Sequence, residues 1–352
     1  MSITQSSELS LDDLLGSVSS ILIDNPGTNP DGSAITPGLP FEEPGYEGSI
    51  DYRIRQLSYS SLLTLHSCPR KYELYKKRAK SQDYGKDTDN KSGITFDYGH
   101  IVGEGIQLVM QDMPLEKIYP KLLTLWHQDL WDINEKQNKS FWLALQGVKK
   151  FYIMRQQGFL NDYELVYYEG KPAVELSFCI VFPDGFRYRG HVDAVLKHKV
   201  TGKVIVLECK TSSINVQAGT YKNSAQAIGY SIVLDAIFPE LSSYEVLYLI
   251  YHSKDCEYTV IPFPKTYHQR AVWIQELLLD IEMIKMYEDH AVYPMHGESC
   301  MDWGRECEYM QVCTLNTAHI TKPMDASFVD HTQYQITLTL EDLLVTQLAK
   351  AE

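Results

Sequence analysis

The chain has 352 residues, 44% of them hydrophobic, with seven cysteines and a formal net charge of −14. That length and apolar content support a substantial core with appendages, while no apolar run approaches the roughly 20 residues a membrane-spanning helix needs. With no basic segment at the N-terminus to open a secretory signal, and an odd cysteine count that argues against a disulfide framework, the expected setting is the reducing cytoplasm. The charge weighs against a general polyanion binder. More than half of the excess, however, sits in residues 1–50, which hold Glu8, Asp12, Asp13, Asp24, Asp31, Glu42, Glu43 and Glu47 and no Lys or Arg.

In chain order, residues 1–50 read as an acidic arm, rich in Pro and Gly between residues 25 and 48. Leu9-Ser10-Leu11-Asp12-Asp13-Leu14-Leu15 within it carries a Ser-x-x-Asp cap signature and a helical apolar stripe. Residues 57–80 form the first predicted core element, with Ser58 or Ser60 to cap a helix. It is also the most basic stretch, where Arg70, Lys71, Lys76 and Lys77 are candidates for phosphate contact or a solvated helix face. Residues 96–110, 115–133 and 140–157 read as helices. Residues 174–181 and 186–195 are strands joined by the turn Pro183-Asp184-Gly185, and a second turn at Thr201-Gly202-Lys203 leads to the β-branched run 204–207.

That hairpin carries the chemistry. Asp193 falls near the end of one strand, and Glu208 and Lys210 near the end of its neighbour, two apart and so on one face. Two hard oxygen ligands beside a lysine suit Mg²⁺ or Mn²⁺, a lowered pKa for a bound water, and phosphodiester hydrolysis. A cross-strand salt bridge is the bland alternative. Residues 221–236 then read as a helix with Gln226 and Tyr230 on one face, residues 244–251 and 258–263 as strands, and residues 265–291 as a long helix. Cys300-x6-Cys307-x5-Cys313 places three cysteines in a short segment, and Cys68 is the candidate fourth ligand. Four thiolates fit zinc or an iron-sulfur cluster. Leu338-Thr339-Leu340-Glu341-Asp342-Leu343-Leu344 repeats the N-terminal pattern. The two segments suit docking on a recombination or replication protein or on a second protomer, or simple packing on their own domain.

Gly190-His191-Val192-Asp193 followed by Val206-Leu207-Glu208-Cys209-Lys210-Thr211 resembles the core motif of the PD-(D/E)XK nuclease superfamily in its RecB-like branch. Gln226 through Tyr230 resembles that branch's Q-x-x-x-Y helix, Cys68-Pro69-Arg70-Lys71-Tyr72 its first helix, and the cysteine cluster its iron-sulfur members. The resemblance implies an α/β restriction-endonuclease-like core with a mixed central sheet over residues 51–318, clasped by a four-iron, four-sulfur cluster and followed by a tail over residues 319–352. It implies a metal-dependent DNA nuclease, with exonuclease action expected. Asp193 and Glu208 would bind the metal, Lys210 would act on the attacking water, and Gln226 and Tyr230 would support the site. The branch has a metal-binding histidine where this chain has Gly103, so either His100 or Glu104 substitutes or the metal is held without this ligand, and Glu175 resembles a recurring further acid or is an edge-strand carboxylate. That departure and the acidic charge keep two alternatives in view, a nuclease-like protein that binds DNA or a protein partner without cutting and a zinc-stapled adaptor. The acidic arm would also suit mimicry of DNA.

Overall fold

The computed structural model describes residues 51–79, 93–214, 216, 219–238, 244–302, 305–324 and 332–349. The acidic arm, its amphipathic segment and its proposed mimicry therefore lie outside the described residues.

A mixed sheet organises residues 51–352. Its strands are β1 (Gln56–Leu57), β2 (Tyr163–Leu165), β3 (Val174–Val181), β4 (Arg187–His198), β5 (Val204–Ser212), β6 (Tyr244–His252), β7 (Glu257–Lys265) and β8 (Ile336–Thr339). The order runs β7-β6-β5-β4-β3-β8, with β1 and β2 also paired to β4. β4 and β5 form a hairpin around Gly202, whose φ of +69° suits a residue without a Cβ. β6 runs parallel to β5 and so needs a crossover, supplied by helix Ala225–Ile237.

Among the described residues the helices of two turns or more are α1 (Tyr59–Ser67), α2 (Pro69–Lys76), α3 (Ile94–Met110), α4 (Leu115–Thr124), α5 (Phe141–Gln156), α6 (Ala225–Ile237), α7 (Tyr267–Asp289) and α8 (Leu340–Ala349). They cover both faces of the sheet, because β5 buries apolar side chains on both. Val204 and Val206 join Leu65, Tyr230, Trp273 and Ile281 in one core, while Ile205 and Leu207 join Ile101, Ile106, Leu122 and Val148 in the other. Among the described residues no helix is long and apolar enough to cross a membrane.

Several predicted elements break where local chemistry intervenes. The stretch 57–80 becomes two helices because Cys68 is extended (φ −159°) and Pro69 opens the next helix, where its missing N–H costs nothing. The helix expected over 115–133 stops at Thr124, and residues 133–140 form a small hairpin instead. Near the C-terminus Leu338 and Thr339 belong to β8, which pairs with β3, and the helix starts at Leu340. Thr339 and Asp342 cap it reciprocally, and Leu343 is buried in the main core. That apolar face packs on its own domain.

Candidate active site

The site begins where the β4–β5 ladder stops. The two strands pair from Lys197 opposite Val204 to Ala194 opposite Leu207. Beyond that, the Cys209 N–H donates to the Asp193 carboxylate, Oδ2, at 2.7 Å. A side chain thus takes the donor that a backbone carbonyl would otherwise accept. β5 continues along β6 as far as Ser212, while the other end of β4 pairs with β1 at Arg187 and Tyr188. Since β3 holds the opposite edge of β4, β1 and the end of β5 flank a fork with Asp193 at its base.

A local reversal of side-chain direction shapes this fork. On β3, Val174 packs with the α3–α5 core, yet Leu176 packs with the opposite core. On β4 the same switch occurs between Val192 and Ala194. The residues at the two switch points are Glu175 and Asp193, and Glu175 has φ +48°, a left-handed conformation that is strained for a side chain of this kind. Strain held inside a strand beside buried acids is the sort of local cost found at functional sites.

Glu208 follows Val204 and Val206 on the same face of β5 and is 1% exposed. Its Oε1 meets the Lys210 ammonium at 2.6 Å, whereas its buried Oε2 has no hydrogen-bond partner. Lys210 also donates to Gln226 Oε1 at 3.0 Å, and Gln226 Nε2 donates to the Tyr230 hydroxyl at 2.6 Å. The i,i+4 spacing on α6 therefore builds a relay that fixes the lysine from behind.

Charge in this cluster is poorly solvated. Burial, then the neighbouring Glu208, push the Asp193 pKa well above the usual carboxylate range, against the Cys209 N–H, which lowers it. Burial raises Glu208 as well, in spite of Lys210. Burial works against the Lys210 ammonium, but the charge and hydrogen bond of Glu208, helped by Asp193, overcome it and hold the lysine above its ordinary value. Tyr230 is raised by burial and by the two acids, so it remains a phenol.

From the other side of the sheet, α3 presents a polar stripe. Glu104 is raised by burial and by Glu175, and His100 partly offsets this. Gln107 Nε2 donates to Glu175 Oε1 at 2.6 Å. Position 103 faces open space, where an added Cβ would meet nothing. Gln107 escaped the reading of the sequence, although its spacing from His100 and Glu104 (i, i+4, i+7) on a largely apolar helix was a usable signal.

Arg70 and Lys76 of α2, and Lys77 just after it, have partners within the chain. Arg70 pairs with Glu73 and donates to the carbonyls of Cys313 (2.9 Å) and Leu315 (2.7 Å). Lys77 pairs with Glu73 at 2.9 Å, and Lys76 donates to the Gln56 carbonyl, with burial and then Arg189 pulling its pKa down to about 7. Lys71 is partly exposed.

The four cysteines share one neighbourhood. Burial raises the Cys313 thiol, Arg70 opposes it, and Cys68, Cys300 and Cys307 all add to the rise. Among the described residues no three Cys, His, Asp or Glu side chains close on one point as a formed metal site. The donor chemistry fits a hard cation at the fork, where an orphaned, buried Glu208 oxygen lies beside Asp193.

A search of curated proteins finds no relative. Among solved structures the chain is similar to a candidate exonuclease from Eubacterium rectale, at 11% identity and a TM-score of 0.39, covering 82% of this chain and 99% of that one. It is also similar to the protein SSO0001, at 13% identity and a TM-score of 0.19, covering 66% and 87%. At those scores neither likeness bears on fold or activity. The family model of the PD-(D/E)XK nuclease superfamily matches residues 56–314, from β1 past the last clustered cysteine, with Asp193, Glu208 and Lys210 well inside it. A match over most of the chain, on a mixed sheet whose fork holds the expected acids and lysine, means that this chain belongs to the PD-(D/E)XK nuclease superfamily.

Proposed function

We propose that the chain is a Mg²⁺- or Mn²⁺-dependent deoxyribonuclease of the RecB-like branch, working from DNA ends in recombination, repair or defence-related processing. The observation that carries the metal dependence is the buried Glu208 carboxylate, with its unpartnered oxygen, beside the half-buried Asp193. A bound divalent cation would make water a nucleophile near neutral pH and offset charge on the attacked phosphate. Asp193 and Glu208 would hold it, with Glu175 and Glu104 supplying further carboxylate on the α3 side.

The protein's own groups do the rest. Lys210, whose ammonium Glu208 and Asp193 favour, acts on the attacking water and stabilises the developing negative charge. Gln226 and Tyr230 keep that ammonium aimed by a short hydrogen-bonded chain. Fixing the donor before reaction avoids reorganisation in the transition state.

Cys68, Cys300, Cys307 and Cys313 belong to the same reading as ligands of a four-iron, four-sulfur cluster, with zinc as the competing occupant. Residues 51–318 are then the nuclease domain, and residues 319–352 a tail that adds β8 and α8.

The test is cleavage of end-labelled linear and circular DNA, single- and double-stranded, by anaerobically purified protein with Mg²⁺ or Mn²⁺. Wild type should degrade linear DNA, and Lys210→Ala should lose at least a hundredfold in rate while keeping its DNA affinity. Equal inactivity of both proteins on every substrate would sink the nuclease reading in favour of a binding role.

A further inference from the structure

Three large aromatic side chains stand in water at one end of α3. Phe96 is 67% exposed, Trp131 79% and Trp142 45%. They are gathered there by buried contacts. Asp97, fully buried, accepts from the His127 N–H at 3.3 Å and from Gln128 Nε2 at 3.0 Å, tying the loop that carries Trp131 to the helix start. Lys139 lies 5.6 Å from the Tyr98 ring centre, which brings the start of α5 alongside, and the Trp131 and Trp142 rings are 5.8 Å apart.

The same end of α3 abuts the site. An added Cβ at Gly99 would sit 3.6 Å from Thr211 Oγ1, one residue past Lys210. The Phe96 ring is 6.4 Å from that of His100, one turn before Glu104. The surface of α3 thus leads from Phe96 past Gly99 and His100 to the fork.

We propose that Phe96, Trp131 and Trp142 form a stacking platform that guides single-stranded nucleic acid into the fork, an inference that rests on the nuclease reading above. Stacking explains the exposure because every base has a π-face, whereas bases inside a duplex are already stacked and out of reach. It also meets a need. Arg70, Lys76 and Lys77 are committed to partners within the chain, so these residues add little attraction to phosphate. A protein partner with an apolar face is the rival occupant.

The experiment measures binding by fluorescence anisotropy, using the full chain as Lys210→Ala so that substrate survives. The probes are labelled oligo-dT, the same strand with abasic sites in place of bases, and a duplex. Oligo-dT should bind about tenfold more tightly than the abasic strand. Adding Trp131→Ala or Phe96→Ala should erase most of that preference, Trp131→Phe should restore it, and duplex affinity should change less than twofold. If the alanine variants keep the preference, or if duplex affinity falls in parallel, the platform is wrong even where wild type cleaves DNA. If wild type cleaves nothing yet shows the Trp131-dependent preference, the nuclease reading falls and the platform stands.

Discussion

Asp193, half-buried, and Glu208, buried, place two carboxylates together with one nearby ammonium, and that arrangement has a pH signature. Their folded pKa values are raised, so over the window from the ordinary carboxylate range up to those values the native state binds more protons than the unfolded state. Metal-free stability should therefore fall as pH rises through that window. A cation that binds only the ionised native form should reverse the trend. Mn²⁺ is expected to raise the melting temperature more at pH 8 than at pH 5. Asp193→Asn keeps an acceptor for the Cys209 N–H while removing one charge, so it should stabilise metal-free protein by about 1–2 kcal/mol at neutral pH and abolish the Mn²⁺ response. Thermal melts of both proteins at the two pH values decide this, and a full Mn²⁺ response in Asp193→Asn would remove Asp193 from the ligand set. These residues were legible in the sequence because an apolar β-branched run that ends in Glu208 and Lys210 is poor core design. The Gln107–Glu175 contact was not legible, since its partners are 68 positions apart and meet only through the sheet.

Elements are positioned by close approach as much as by periodicity. α3, which carries Glu104 and Gln107, lies so near α5 that a Cβ at Gly105 would come 2.2 Å from Val148 Cγ2. In an isolated helix Gly→Ala would gain about 1 kcal/mol, but overpacking a core costs roughly 1–3 kcal/mol, and at this separation the second effect wins. Gly105→Ala should thus destabilise the protein by about 1–2 kcal/mol in denaturant melts, with Val148→Ala relieving part of the loss. Equal or greater stability in Gly105→Ala would contradict the packing of these two helices. Helical stripes revealed α3 and α5 in the sequence. The break at Cys68-Pro69 was overrun by the basic, apolar periodicity on either side of it, and α4 was drawn too long because Trp126 and Leu130 continue the stripe after the backbone has turned. The left-handed Glu175 leaves no trace in the pattern, because period-2 alternation says nothing of a residue that reverses it.

At the scale of the whole molecule, the first and last parts of the described chain interlock. Ala79 bridges Thr321, the Lys322 N–H donates to the Arg78 carbonyl at 3.2 Å, and Arg70 reaches the carbonyls of Cys313 and Leu315. Cys68 stands at the junction of α1 and α2, opposite the segment bearing Cys300, Cys307 and Cys313, so a cluster there would staple residues more than 200 positions apart in sequence. By analogy with other crosslinks that close long loops, such a staple contributes on the order of 2–4 kcal/mol. If these cysteines hold an iron-sulfur cluster, wild type purified without oxygen is expected to carry a visible chromophore with iron and sulfide, and Cys307→Ser to lose them and to melt several degrees lower. The polar interlock around Arg70 should still hold the fold together, and Lys210-dependent cleavage should survive at reduced temperature, because the fork is built from β4, β5 and α6 and uses none of these cysteines. Zinc in place of iron in the wild type would keep the staple and change its chemistry. Loss of cleavage in a Cys307→Ser protein that melts like wild type would instead make the cluster part of the reaction.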